Sequence, residues 1–473
     1  MSIGGDPPEP RPEHPDQTRA CPIRRETPVG EPAFRHSNPC TVPRTDKRGE
    51  RVSSTGPAGT KVEHVAVPYM IWHRERHVAE SFVMGGPAMG GSERDPADAQ
   101  TPAKENVMSQ DPLHTKLCDQ LGVEYPIVSF THCKDVAVAV INSGGFAVLG
   151  EAMHTPEEIE ADIKWIRDRV DGRPFGVDLV LPASAPAEAS LDEITSKIPE
   201  SHREYEQMIM KKYDVPMPKE AVDLHQWGGL NQSLGRAQLE VLLEERVPVI
   251  ASGLGSPAFL LDAAHERGCK VWGLVGRTRQ AKRQIEAGVD AVIAQGFDAA
   301  GHTGDMGTLS IVAEVSAIAG DTPIIAAGGI TTGRHLAAAL CLGASGVWTG
   351  TLWLACRESD VDMIIKERLV AASADDTTWS DSISGFTMRV LKCPWTEEWK
   401  KPDAPRPLES PYQMILSSDY IQGANDGRRA DLMTEASGQG VGFVTEMKPA
   451  RQIVFDMVEE ALGTFDDVVG LPE

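Results

Sequence analysis

From Met108 onward, short β-branched runs closed by glycine or another small residue alternate with stretches of helical period, and that alternation narrows the folds open to the chain. The candidate strands are PIVSF (from Pro126), FAVLG (Phe146), FGVDLVLP (Phe175), PVIASG (Pro248), KVWGLVG (Lys270), VDAVIAQG (Val289), PIIAAGG (Pro323) and SGVWTG (Ser345). Helices are expected at Lys134–Asn142, Pro156–Arg169, Pro257–Arg267, Thr278–Ala287, Leu309–Ile318, Thr332–Leu342 and Asp360–Ala371. Repeated βα units imply a parallel sheet, and eight of them within about 250 residues predict a closed (β/α)8 TIM barrel.

Three segments fall outside that rhythm. Residues 1–107 are rich in Pro, Arg, Glu and Gly without sustained period, so they are expected to be a disordered extension ahead of a barrel spanning 108–372. Residues 183–246 are too long for one crossover and predict a helical insertion after the third strand, a candidate lid. Residues 373–473 are expected to pack on the barrel as helices and loops.

The net charge of −23 disfavours nucleic-acid binding, which needs a surplus of Lys and Arg on one face. No apolar run is long enough for a membrane helix. The eight cysteines form no CxxC pair and suggest reduced thiols in a cytoplasmic protein. Neither a metal site nor an oligomeric state is indicated.

A TIM barrel binds ligands at the C-terminal ends of its strands, with phosphate commonly held after strands seven and eight. Glycines stand at both places: Gly328 and Gly329 after the seventh strand, and Gly350 with Thr351 after the eighth. Backbone N–H groups exposed beside helix starts would cradle a phosphorylated cofactor. GxGxxG, GxSxG and P-loop signatures are absent after the predicted strands.

The segment AQGFDAAGHTGDMGT (Ala294–Thr308) leaves the sixth strand and is expected to cross the mouth. Small residues at Ala299, Ala300, Gly301 and Gly304 allow close approach to a flat ring. Among them His302 is expected to have little side-chain packing and to act as acid–base catalyst. His132 and Cys133 are adjacent and should point apart, which makes a poor dyad.

YPIV with INSGGFAVLG, the AQGFDAAGHTGDMGT block and PIIAAGGITTGRHLAAALCLGASGVWTGT together resemble the nitronate monooxygenase (2-nitropropane dioxygenase) family over about Met108–Arg357. Flavin-dependent enoyl-ACP reductases and some NAD(P)H:quinone reductases are similar in the same segments. The resemblance implies non-covalent FMN, with Gln295 contacting the flavin. It puts Ala300 where the loop often has Gly, and Gly328, Gly329, Gly350 and Thr351 around the phosphate. It also implies His302 as base toward nitroalkanes or hydrogen-bond partner of a nitronate. The implied reaction takes a nitronate and dioxygen to a carbonyl compound and nitrite. Two departures stand out. Asp178 replaces the family's flavin-contacting Asn, and a carboxylate beside reduced flavin is unfavourable unless turned away or protonated. The SFTHCKD loop after the first strand is shorter than the family's.

Overall fold

A computed structural model describes residues 111–181, 191–219, 232–253 and 255–469. The expected extension (1–107) and parts of the expected lid (182–190 and 220–231) lie outside the described residues. Eight parallel strands close into a barrel. They are β1 (Ile127–Thr131), β2 (Phe146–Gly150), β3 (Gly176–Val180), β4 (Val249–Gly253), β5 (Lys270–Val275), β6 (Ala291–Gln295), β8 (Ile324–Ala327) and β9 (Gly346–Thr349). The two-residue β7 (Gly301–His302) lies in the loop after β6. Closure is made by β9 on β1, with Val347 opposite Ile127 and Trp348 opposite Val128.

The strands are apolar on both faces because both are covered. One face packs on the surrounding helices, as Val177 and Leu179 do. The other fills the barrel, where Phe146, Val148, Val249, Trp272 and Ile293 meet in one interior cluster. The helix Lys116–Leu121, unmarked in the sequence reading, sends Leu117 and Leu121 into that cluster from below.

After β3 come the helices Leu191–Ser196, Glu200–Lys212 and Gln232–Glu244. The second is tied to the C-terminal segment through the buried Glu398. Tyr205 Oη donates to Glu398 O at 2.9 Å, Lys212 Nζ to its carboxylate at 2.9 Å and Tyr213 Oη at 2.5 Å, with Lys401 adding two contacts at 2.7 Å. Burial alone would raise this carboxyl, but the hydrogen bonds from Lys212, Lys401 and Tyr213 outweigh it and hold its pKa down to about 2. A depressed carboxylate contributes stability that is complete above its unfolded value and is lost as pH falls toward 2. Glu398→Ala, which removes the shared acceptor of Lys212, Lys401 and Tyr213, is therefore expected to lower stability by roughly 1–3 kcal/mol at neutral pH. Chemical denaturation at pH 7 and pH 3 checks this, since the difference between wild type and variant should shrink in acid.

The C-terminal segment departs from the expected helices and loops. Besides the helices Pro394–Glu398, Tyr412–Asp426 and Ala450–Val469, it forms an antiparallel ribbon of β10 (Thr377–Ser380) and β11 (Met388–Leu391), and β11 pairs with β7. Strands of four and two residues carry too little alternation to be seen locally, and they form because they pair with each other. The last helix packs on Gly333–Cys341 so closely that a Cβ at Gly333 would lie 2.3 Å from Met457 O. Among the described residues no helix is long and apolar enough to cross a membrane.

Candidate active site

β6 ends at Gln295, and the following loop turns at Gly301, whose φ of +64° suits glycine. That turn lets Gly301 and His302 pair with Arg389 and Met388. Gln295 Nε2 donates to His302 O at 2.6 Å, so the amide expected to contact the flavin also fixes the backbone of the histidine.

His302 is not loosely packed, contrary to the sequence expectation. Its Nε2 lies 2.8 Å from Ser384 Oγ and its ring meets the edge of Phe386 at 5.7 Å. Both come from a segment some 82 residues further along, beyond the reach of any local pattern. Ser384 Oγ also accepts from Phe386 N at 3.3 Å and donates to Phe386 O at 3.2 Å. The hydroxyl has one proton to share between that carbonyl and the ring, so either Ser384 or His302 can donate across the 2.8 Å contact. His302 Nδ1 has no partner among the described residues, while Nε2 is held by Ser384. Burial pushes its pKa below the ordinary value, so the ring is neutral at pH 7.

Gly328 (φ +109°) and Gly329 (φ +69°) follow β8, while Gly350 and Thr351 follow β9. The start of the helix Gly333–Cys341, expected to offer its N–H groups to an anion, has two of its N–H groups already bonded. Thr332 Oγ1 accepts from His335 N at 3.3 Å and Glu460 Oε2 from Gly333 N at 2.8 Å. Among the donors left are the N–H groups of Gly329, Ile330, Gly350 and Thr351, which have no partner among the described residues. A Cβ built at Gly350 meets nothing within 4 Å. Open space beside free backbone donors fits a phosphate.

A second glycine-rich stretch, Ser437–Gly442 (SGQGVG), was missed by the sequence reading, although glycine at every second position was a visible signal. Gly438 N donates to Thr351 Oγ1 at 3.0 Å and Gln439 N to Asp298 O at 2.9 Å. A Cβ at Gly438 would lie 3.0 Å from Ala300 N. This stretch therefore joins the β6 loop, with Ala300 and Gly301, to the loop after β9.

Phe130 stacks on Trp348 with centroids 5.4 Å apart. His132 packs edge-on to Phe130 at 5.1 Å with Nδ1 2.8 Å from Gly150 O, while Cys133 is buried with Sγ 3.3 Å from Glu358 O. Asp178 lies on the inward side of β3, not turned away from the interior, and burial raises its carboxyl to about 8. Asp305 pairs with Arg277 at 2.7 Å rather than with His302.

Fold and mouth define a class, the (β/α)8 enzymes that work at the C-terminal ends of their strands. The family model for nitronate monooxygenase matches residues 113–460. The Mycobacterium tuberculosis protein Rv1533, named as a monooxygenase, is 38% identical over 372 residues, covering 76% of this chain and 99% of its own. A Staphylococcus aureus protein named for nitronate monooxygenase activity is 24% identical, covering 73% and 96%. Among solved structures, nitroalkane oxidase from Streptomyces ansochromogenes superposes with a TM-score of 0.63 at 27% identity, covering 74% and 99%. FabK from Thermotoga maritima gives 0.59 at 28%, covering 76% and 99%. The chain belongs to the nitronate monooxygenase family and is a flavin-dependent oxidoreductase.

Proposed function

We propose that the chain is an FMN-dependent nitronate monooxygenase that takes alkyl nitronates, and neutral nitroalkanes after deprotonation, to carbonyl compounds and nitrite with dioxygen. The observation that carries this is the neutral His302, with Nδ1 free and Nε2 held by Ser384, on the mouth whose β8 and β9 loops keep unpaired N–H donors. FMN supplies the redox chemistry, taking electrons from the nitronate and returning them to dioxygen. Gly329, Ile330, Gly350 and Thr351 would hold its phosphate, with Gln295, Ala300, Gly301 and Asp178 on the ring side and Gly328 shaping the turn. His302 Nδ1 takes the α-proton of a neutral nitroalkane. Gln295 and Ser384 keep that nitrogen aimed, and Phe386 shields the ring from water. The described cysteines are all unpaired thiols, which supports a cytoplasmic setting.

Because burial lowers the His302 pKa, the acid limb of kcat/KM on a neutral nitroalkane is expected below pH 6.5, the unperturbed value. A pH–rate profile with its acid limb at or above that value would remove the assignment.

Similarity to FabK at 28% identity favours one further reading, an NAD(P)H-dependent flavin reductase. Nitrite release from a panel of nitronates in air, beside anaerobic NAD(P)H titration, separates the two. Nitrite without rapid bleaching by NAD(P)H is the expected result. Rapid bleaching without nitrite would establish the reductase.

A further inference from the structure

Val177 and Leu179 of β3 join the core beneath the helices, so by alternation Gly176 and Asp178 face the barrel interior. A side chain at Gly176 would meet Val148 and Val249, both interior residues. Asp178 stands one pleat nearer the mouth, in register with Gly150 of β2 and Ala251 of β4. Neither neighbour has a polar side chain of its own, but the His132 ring fills the place a side chain at Gly150 would take, 2.7 Å from Nδ1 to where its Cβ would lie. The carboxyl has no hydrogen bond or ion pair among the described residues, and burial is the sole influence on its pKa, which stands at about 8.

The ionisable side chains on the adjoining elements are bonded elsewhere. On the β1 side His132 is engaged with Gly150 O at 2.8 Å, and after β2 the Glu151 carboxylate turns to His154 at 2.5 Å. β4 contributes Ala251 and Ser252, neither ionisable. A half-buried acid that faces inward near the mouth and makes no hydrogen bond is a candidate for a functional role.

We propose that Asp178 is a redox-linked proton site, which takes one proton from solvent when the flavin in the mouth is reduced. The inference rests on reading the mouth as the flavin site. A flavin held in the mouth would supply the redox couple, and its uptake of two electrons and one proton from an external reductant would leave one added negative charge near Asp178. A second proton, from water, converts the Asp178 carboxylate to the acid, and no bond to carbon forms or breaks. The driving force is electrostatic, because an anion arriving in a desolvated site raises the pKa of a carboxyl already poised near neutrality. Asn in this position could remain neutral but could not take up the proton.

The test is a potentiometric titration of the full-length, flavin-loaded protein with dithionite between about pH 7 and 10, wild type against Asp178→Asn. Above about pH 8 the wild-type potential should fall more steeply by one proton per two electrons. That is a further tenfold change in equilibrium per pH unit, or about 30 mV, and Asp178→Asn should lack it. Equal slopes in two yellow proteins overturn the proposal and leave the functional reading standing. Should Asp178→Asn purify without flavin, the infrared difference spectrum of wild type on reduction at about pH 9 decides. Conversion of a carboxylate band to a protonated carboxyl band supports the proposal, and its absence overturns it. A wild-type protein that binds no flavin overturns the functional reading and this inference together.

Discussion

His302→Asn is expected to keep its flavin and lose turnover by about 10²–10⁴-fold on neutral nitroalkanes, the range for removing a general base. Flavin retention follows from how the segment is held. β7 pairs with β11 through its backbone, and Gln295 contacts His302 through the carbonyl, so neither contact depends on the imidazole. Asn also leaves Ser384 a polar neighbour, which limits local collapse. The loss should depend on substrate ionisation, because a preformed nitronate has already given up the α-proton. Steady-state rates for the two forms at matched pH make the comparison. Small, equal losses would mean that His302 only holds the ribbon in place.

Gly350→Val is expected to fold and to purify largely without flavin. A Cβ at Gly350 meets nothing within 4 Å, so the added side chain enters empty space rather than the core. That space adjoins the N–H groups of Gly350 and Thr351, and a β-branched side chain would exclude a phosphate from them. Thermal melts with added FMN read the effect directly. Wild type should gain about 2.7 kcal/mol at a hundredfold excess over Kd, and the variant almost nothing. A full complement of flavin in Gly350→Val would place the phosphate elsewhere. Gly329 is a poorer test, because its φ of +69° and a Cβ 3.0 Å from Asp298 Cβ mean that Val would disturb the loop itself.

The strands were legible because each is a short apolar run closed by a small residue. The run from Phe146 ends at Gly150, and the run from Lys270 ends at Val275, beside Gly276. Helix limits followed capping chemistry, as where Thr155 caps Pro156–Arg167 through a reciprocal bond with Glu158, and Thr332 caps Gly333–Cys341. His302 and the glycine pairs stand out in the sequence as candidates, since small residues clustered around a histidine after a strand are unusual in a loop that does no more than connect.

The sequence by itself determined the periodicity, and periodicity determined the barrel, because side-chain alternation and helix capping are properties of neighbouring residues. Only the tertiary structure decided the surroundings of the site. Ser384 and Phe386 on His302, Glu460 on the start of Gly333–Cys341, and Gly438 on Thr351 are contacts across 82, 127 and 87 residues. It also decided the state of Asp178, whose carboxyl is pushed up to about 8 by burial, with no hydrogen-bond partner to offset it. A missing neighbour is written nowhere in the local sequence, because desolvation is set by everything that folds around a group rather than by the residues beside it in the chain.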